Sequence, residues 1–277
     1  MSKHYKVGWF STGRGSGSKA LLKTAQDAIK AGELDAEIEF VFCSRERGET
    51  EPTDQYLDMV KGYGIPLVSF SYQRYRAARG MPNPDPDKPL PQWRIDYDKE
   101  VLKLLKKFHP DLCMLAGFML ITSPLMCDKY DIINLHPAAP GGPAGTWQQV
   151  IWKLMETGAD TQGIKMHVAI PELDMGPTAT YCTFPIRGKA FDKYWGEIKG
   201  KSIEEVKAKR GVENNLFKAI RAHGAVRELP LTVATLKVFS QGKVKITKDR
   251  QVVNAAGHVI KGYDLTKEID EIVKDKL

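Results

Sequence analysis

Short apolar runs alternate with longer amphipathic stretches through the first two thirds of the chain. KVGWFS (Lys6–Ser11), IEFVFC (Ile38–Cys43), PLVSF (Pro66–Phe70), LCMLA (Leu112–Ala116) and IINL (Ile132–Leu135) are short and apolar, and all but LCMLA contain β-branched or aromatic residues, the pattern of strands. Between them, Ser18–Ala31, Asp54–Gly62 and Tyr97–Phe108 carry apolar residues at helical spacing; in the last, Val101, Leu102, Leu104, Leu105 and Phe108 form a wide stripe. Nearly continuous apolar strands alternating with helices predict an α/β fold, with a parallel sheet covered by helices on both faces. IKMHVAI (Ile164–Ile170) and TATYCTF (Thr178–Phe184) read as two further strands.

Two segments break this rhythm. Residues 71–96 hold five prolines and no clean period, which predicts a long loop or lid. Residues 187–212 are charged and predict a surface excursion containing a short helix. Beyond them, Asn214–Arg227 and Pro230–Phe239 read as two helices and Lys243–Ile246 as a strand. No repeat or Gly/Ser linker divides the chain, so the expectation is one domain over residues 1–277 with insertions at about 71–96 and 187–212.

Composition narrows the class. At 42% hydrophobic and 27% charged the chain can bury a substantial core. No run of about 18 apolar residues occurs, and the first residues lack the apolar stretch of a signal peptide; no membrane partner is expected. Cys43, Cys113, Cys127 and Cys182 are scattered with no CxxC pair, which argues against a disulfide framework or metal site and for core thiols in a cytoplasmic protein. The net charge of +7 is uneven: residues 1–186 hold 21 basic and 22 acidic side chains, residues 187–277 hold 20 and 12. The basic excess is mixed with acids rather than blocked, the pattern of a solvated helical face more than of a nucleic-acid surface.

Three stretches could carry chemistry. STGRGSGSKALL (Ser11–Leu22) follows the first strand and runs into a helix. It is either an anion cradle, with free N–H groups at a helix start, or a flexible turn. It fits neither the P-loop nor the GxGxxG pattern. In DIINLHP, Asn134 and His136 stand two apart at the end of a strand, so their side chains share a face at the edge where parallel sheets bind ligands. In IPELDMGP, Asp174 precedes a glycine turn. Its local reading is an Asx-turn, yet an acid, an imidazole and an amide donor suffice for acyl transfer to an amine.

The order GSGS (Gly15–Ser18), LAGFM (Leu115–Met119), INLHP (Ile133–Pro137) and ELDMGP (Glu172–Pro177) resembles the folate-dependent formyltransferase family, over roughly residues 5–186 and again about 211–247. The resemblance implies a doubly wound, mostly parallel, Rossmann-like sheet. It implies transfer of formyl from 10-formyltetrahydrofolate to the amine of glycinamide ribonucleotide, a step of purine biosynthesis, with no metal. By the same resemblance Asn134 and His136 stabilise the oxyanion and Asp174 orients the histidine and helps move protons. Gly15, Ser16, Gly17, Ser18 and Lys19 would hold the substrate phosphate, with Pro137 beside them at the acceptor. Met119, Leu120, Ile121 and Thr122, with Ala169, Ile170, Pro171 and Glu172, would line the folate pocket. Small molecules are the implied partners, without nucleic acid or membrane and with a homodimer left open.

The chain also departs from the family pattern. Leu120 stands where an arginine is frequent, and the loop after Pro137 reads AAPGGPAGT in place of a leucine pair and a bulky residue. The family's Gln-Glu-His ahead of a helix-breaking proline is replaced by Gly224–Pro230, GAVRELP, so Arg227 or Glu228 is the expected substitute contact to the acceptor. Formylation of another amine (a sugar nucleotide or transfer RNA) and hydrolysis of formyltetrahydrofolate remain as alternatives.

Overall fold

The expected strands all form, and their pairing sets the topology. The structure is a computed structural model and describes residues 4–84 and 88–277. The chain forms two compact units, one comprising the residues up to Asn134 with Val168–Gly176, the other Leu135–His167 with Pro177–Leu277.

In the first unit the elements run β1 (Tyr5–Ser11), α1 (Ser16–Lys30), β2 (Ala36–Cys43), α2 (Glu51–Gly62), β3 (Leu67–Ser69), α3 (Tyr72–Ala77), α4 (Gln92–Leu104), β4 (Leu112–Leu115) and α5 (Pro124–Lys129), then β5 (Ile132–His136), along which the chain leaves the unit. The strands stand in the order β5-β4-β1-β2-β3 and every pairing among them is parallel. This is the doubly wound, mostly parallel arrangement expected. Phe10, Phe40 and Phe42 point to one face, where Tyr97 and Val101 of α4 and Met126 of α5 cover them. The alternate residues Trp9 and Val41 leave the opposite face, and the buried sides of α1 and α2 carry Leu22, Ala25, Tyr56 and Val60.

The segment 71–96 is not a continuous loop. Ser71 caps α3 by accepting from Arg74 N at 3.0 Å, and α4 starts at Gln92 rather than Tyr97. The cause is aromatic: Tyr75, Trp93 and Tyr97 are buried together, with Phe70 stacked on Tyr97 at 5.1 Å. That earlier start also shifts the helix phase. The buried stripe becomes Trp93, Arg94, Tyr97, Asp98 and Val101, and Leu104 lies exposed. Positions 85–87 of the segment lie outside the described residues.

The second unit contains α6 (Trp147–Thr157), β6 (Thr161–Val168), β7 (Thr178–Pro185), α7 (Asp192–Ile198), α8 (Ile203–Arg210), α9 (Asn215–Ser240), β8 (Val244–Ile246), β9 (Val252–Asn254), β10 (Tyr263–Asp264) and α10 (Thr266–Val273). β6 and β7 are antiparallel, β10 adds to β7 in parallel, and β8 and β9 form a separate hairpin. Residues 187–212 form two short helices, not one, and they are no mere surface excursion. Phe191, Ile198, Ile203 and Val206 join the core with Leu216 and Phe217 of α9.

Pro230 does not separate two helices; it lies inside the single helix α9. Proline lacks the N–H that would close the turn to residue 226. Nearby side chains serve the helix carbonyls, with Arg227 Nη1 donating to His223 O at 2.7 Å and Thr232 Oγ1 to Glu228 O at 2.9 Å. Buried apolar residues on both sides, Phe217 and Ile220 before and Leu231 and Leu236 after, hold the helix through the break. The four cysteines are buried and form no disulfide among the described residues, and burial pushes the Cys43 and Cys182 thiols up to about 12. Among the described residues no helix is long and apolar enough to cross a membrane.

Candidate active site

The first unit reverses its winding between β1 and β4: the chain moves outward from β1 through β2 to β3, then returns to place β4 and β5 on the other side. Loops at the carboxyl ends of such strands part there, leaving a crevice for ligands. Two of the three predicted binding segments of this unit, Gly15–Lys19 and Met119–Thr122, meet at that point. Thr12, just beyond β1, donates its N–H to Gly117 O at 3.1 Å, and its hydroxyl accepts from Met119 N at 2.9 Å. Gly117 has φ +68°, and a Cβ there would stand 2.4 Å from Ser18 Oγ. Only glycine lets the start of α1 close on the loop after β4.

The glycine-serine loop is itself the start of the helix. Gly15 is its N-cap residue, extended at φ −164°, with no side-chain cap and no acidic residue in the first turn. Ser16, Gly17 and Ser18 are the first three helical residues, two earlier than the sequence pattern suggests. Their N–H groups have no carbonyl one turn back, and the helix dipole adds positive potential, which together suit an anion. Ser18 is buried against Gly117, and Lys19 turns aside to Gln55 Oε1 at 2.7 Å. The free face is therefore formed by Gly15, Ser16 and Gly17.

Residues 119–122 follow. Met119 is exposed, Leu120 packs on the aromatic core and Thr122 is buried. An ion pair inside the protein holds this loop. Arg94 Nη1 meets Asp98 Oδ1 at 2.6 Å, Arg94 Nη2 donates to Ile121 O at 2.9 Å, and Ser123 N donates to Asp98 Oδ2 at 3.1 Å. The segment Ala169–Glu172 starts alongside β5: Ala169 N donates to Ile132 O at 2.8 Å, and Ala169 is buried while Pro171 and Glu172 are exposed. Asp174 is half-buried with φ +59°, one of two non-glycine residues in the left-handed region among those described. An aspartate tolerates that region better than most residues, and its neighbours Leu173 and Met175 are exposed. Asn134 is half-buried and pairs in register with Leu115 of β4.

In the second unit, His136 ends β5 and is 4% exposed. Its Nε2 lies 3.2 Å from Pro143 O. A carbonyl oxygen can only accept, so Nε2 carries a proton. The ring also meets His167 edge to face, with centroids 6.0 Å apart. Pro137, next in the chain, accepts at its carbonyl from Gln162 Nε2 at 2.9 Å.

The two substitute acceptor contacts are both engaged. Arg227 is buried, binds Asp270 of α10 at 2.8 Å and lies over the Phe184 ring at 4.5 Å, so it fastens α10 rather than facing a ligand. Glu228 pairs with Arg221, whose guanidinium sits 4.8 Å from the Trp147 ring centre; both charges are partly exposed.

Sequence reasoning missed Thr12, the Arg94–Asp98 pair and Gln162. Arginine and aspartate four apart read as a solvated helix pair; only the neighbouring Trp93 and Tyr97, falling on the same helix face, hint at burial. Thr12 and Gln162 are single polar residues at strand ends, which carry no local signal.

A family model described as formyl transferase matches residues 13–188. Phosphoribosylglycinamide formyltransferase of Dictyostelium discoideum is 28% identical over 181 residues, 62% of this chain and 81% of that protein. The solved structure of phosphoribosylglycinamide formyltransferase from Coxiella burnetii superposes with a TM-score of 0.58 at 18% identity, covering 95% of this chain and 99% of that one. Formyltetrahydrofolate deformylase from Burkholderia mallei gives the same TM-score, 0.58, at 16% identity, covering 91% of this chain and 71% of that one. The family match takes in the helix start at Gly15, the β5 end at Asn134 and His136 and the turn at Asp174, and by that match the chain belongs to the formyl transferase family.

Proposed function

We propose that this protein transfers the formyl group of 10-formyltetrahydrofolate to the primary amine of glycinamide ribonucleotide, in purine biosynthesis and in the cytoplasm. The observation that carries the reading is His136, buried at the end of β5 with a proton on Nε2 and with Asn134 two residues before it. Both side chains are donors, and donors aimed at developing charge are what the attack of an amine on a formyl carbon requires.

In that reaction the amine nitrogen bonds to the formyl carbon while the carbonyl π electrons move onto oxygen. The His136 N–H, with Pro143 O displaced as its acceptor, and the Asn134 amide would stabilise the oxyanion. Asp174, through water, would take the proton lost by the amine. Collapse of the intermediate breaks the bond to N10 of the folate, which leaves with a proton. Gly15, Ser16 and Gly17 would hold the substrate phosphate, with Ser18 and Lys19 supporting the loop. Met119–Thr122 and Ala169–Glu172 would hold the pterin largely through backbone groups. The names of the relatives favour glycinamide ribonucleotide as acceptor.

A second reading, release of formate by water attack, is favoured by the likeness to the deformylase structure and by the absence of Gln-Glu-His from the stretch Gly224–Pro230. One assay separates the two: 10-formyltetrahydrofolate turnover with and without glycinamide ribonucleotide, scoring formyl product against free formate. Acceptor-dependent product supports transfer; equal formate release without acceptor refutes it. Addition of structured RNA should leave the rate unchanged, since the basic last third mixes signs.

A further inference from the structure

We propose that Gln162 is a positioning residue for His136, acting through the backbone of the loop that follows it. Resting as it does on the reading of His136 as the oxyanion donor, the inference adds a residue that the formyl-transfer reading does not use.

Four observations lie within the second unit. Gln162, on β6, is 4% exposed and donates from Nε2 to Pro137 O at 2.9 Å. Ala138 N donates to His136 O at 2.9 Å, so the chain turns tightly just after the histidine. At Gly163 a Cβ would stand 2.8 Å from Ala139 Cβ and 2.9 Å from Ala139 Cα, so the loop lies directly on β6. The loop then brings Pro143 O to 3.2 Å from His136 Nε2. Gln162 thus anchors the start of a loop whose far side sets the proton position on the His136 ring.

The amide orientation follows from chemistry. Turned over, Gln162 would set its oxygen against the Pro137 oxygen, two acceptors with no proton between them. In the orientation observed, Oε1 is buried with no hydrogen-bond partner. A methionine would fill the same volume without an orphaned oxygen. A residue serving packing alone would therefore be better replaced by an apolar one; the amide is useful for the bond to Pro137. With that bond in place the start of the loop is held, and before substrate binds Pro143 O accepts from Nε2, so the proton already sits on the nitrogen from which the oxyanion would take over that hydrogen bond.

Two variants and two readouts test this. In Gln162→Met the donor is lost at constant volume. We expect kcat for formyl transfer to fall about 10- to 100-fold, the size of a small misplacement of a catalytic group, with both KM values within about two-fold. In Gln162→Glu the protonated acid can donate to Pro137 O whereas the carboxylate repels it. Its kcat relative to wild type, taken at each pH, should fall as the pH rises through the titration of that acid. The same protein at low pH serves as its own folding control. Nitrogen-15 spectra of the His136 ring, assigned by their loss in His136→Gln, should show Nε2 protonated in the neutral wild-type ring and a mixture of tautomers in Gln162→Met.

The proposal is overturned if Gln162→Met keeps kcat within two-fold, if its loss lies in KM, or if the Gln162→Glu ratio is flat with pH. It is also overturned if the ring spectra of Gln162→Met and wild type coincide. Should wild type fail to transfer formyl while the tautomer still shifts in Gln162→Met, the assigned activity is wrong and the positioning role stands.

Discussion

Asp98→Asn removes one charge from a pair that water does not reach. The side chains of Arg94 and Asp98 are 1% and 3% exposed. Asp98 uses both oxygens, one on Arg94 Nη1 at 2.6 Å and one on Ser123 N at 3.1 Å. An asparagine is the same size but must present an NH2 to one of those two donors, so one contact becomes repulsive. The guanidinium is left buried beside the Tyr97 ring, 5.1 Å from its centre, without a counter-charge. Breaking a buried pair on one side costs about 3–5 kcal/mol. At roughly 2–4 °C per kcal/mol, the melting transition of the first unit should drop by about 6–20 °C. The loop through Ile121 and Ser123 loses its anchor too, so the folate KM should rise more than the acceptor KM. Calorimetry with steady-state kinetics on both substrates measures these effects. The double replacement Arg94→Met/Asp98→Leu should recover most of the stability, because two apolar side chains leave no stranded charge. A melting point of Asp98→Asn within 2 °C of wild type would refute the reasoning.

Three further outcomes are expected. A Cβ at Gly17 meets nothing within 4 Å, so Gly17→Val should fold normally yet raise the acceptor KM far more than the folate KM; an unchanged acceptor KM means the helix start binds no phosphate. Glu228→Ala should raise acceptor KM alone if the carboxylate reads the ribose, whereas Arg227→Met should lower the melting point by releasing α10 from its 2.8 Å bond to Asp270; the reverse pattern in the two variants would show the roles exchanged. His223 is packed against Phe191, with ring centroids 4.6 Å apart, and burial, with Arg227 nearby, holds its pKa below the usual histidine value. Its unfolded form binds the proton more readily, so its contribution to stability is complete above about pH 6.5 and is lost as the pH falls toward the folded value. His223→Phe should flatten the melting-temperature profile below about pH 6.5, and an unaltered slope there would count against the assignment.

The sequence alone determined what local chemistry can express. Five apolar runs became parallel strands because a strand buried on both faces must be apolar at successive positions, and that pattern is visible without the fold. Asn134 and His136 were legible as a pair because a strand repeats every two residues. A helix after the first strand was legible from the amphipathic stretch Ser18–Ala31, although it starts two residues earlier, at Ser16. The family likeness extended the reading to Asp174 and the two folate segments.

Tertiary structure decided the rest. Arg94 and Asp98 have the spacing of a surface pair, and only the aromatic packing of Trp93 and Tyr97 with Phe70 and Tyr75 turns them inward. Pro230 should end a helix by local rules, yet buried residues on both sides carry α9 through it. Gln162 and Pro143 lie far from His136 or have no polar side chain, so their hold on its ring exists only once β6 lies under the loop. Propensity and periodicity act over a few residues. Burial, proton placement and the pairing of buried charge depend on residues that folding alone brings together.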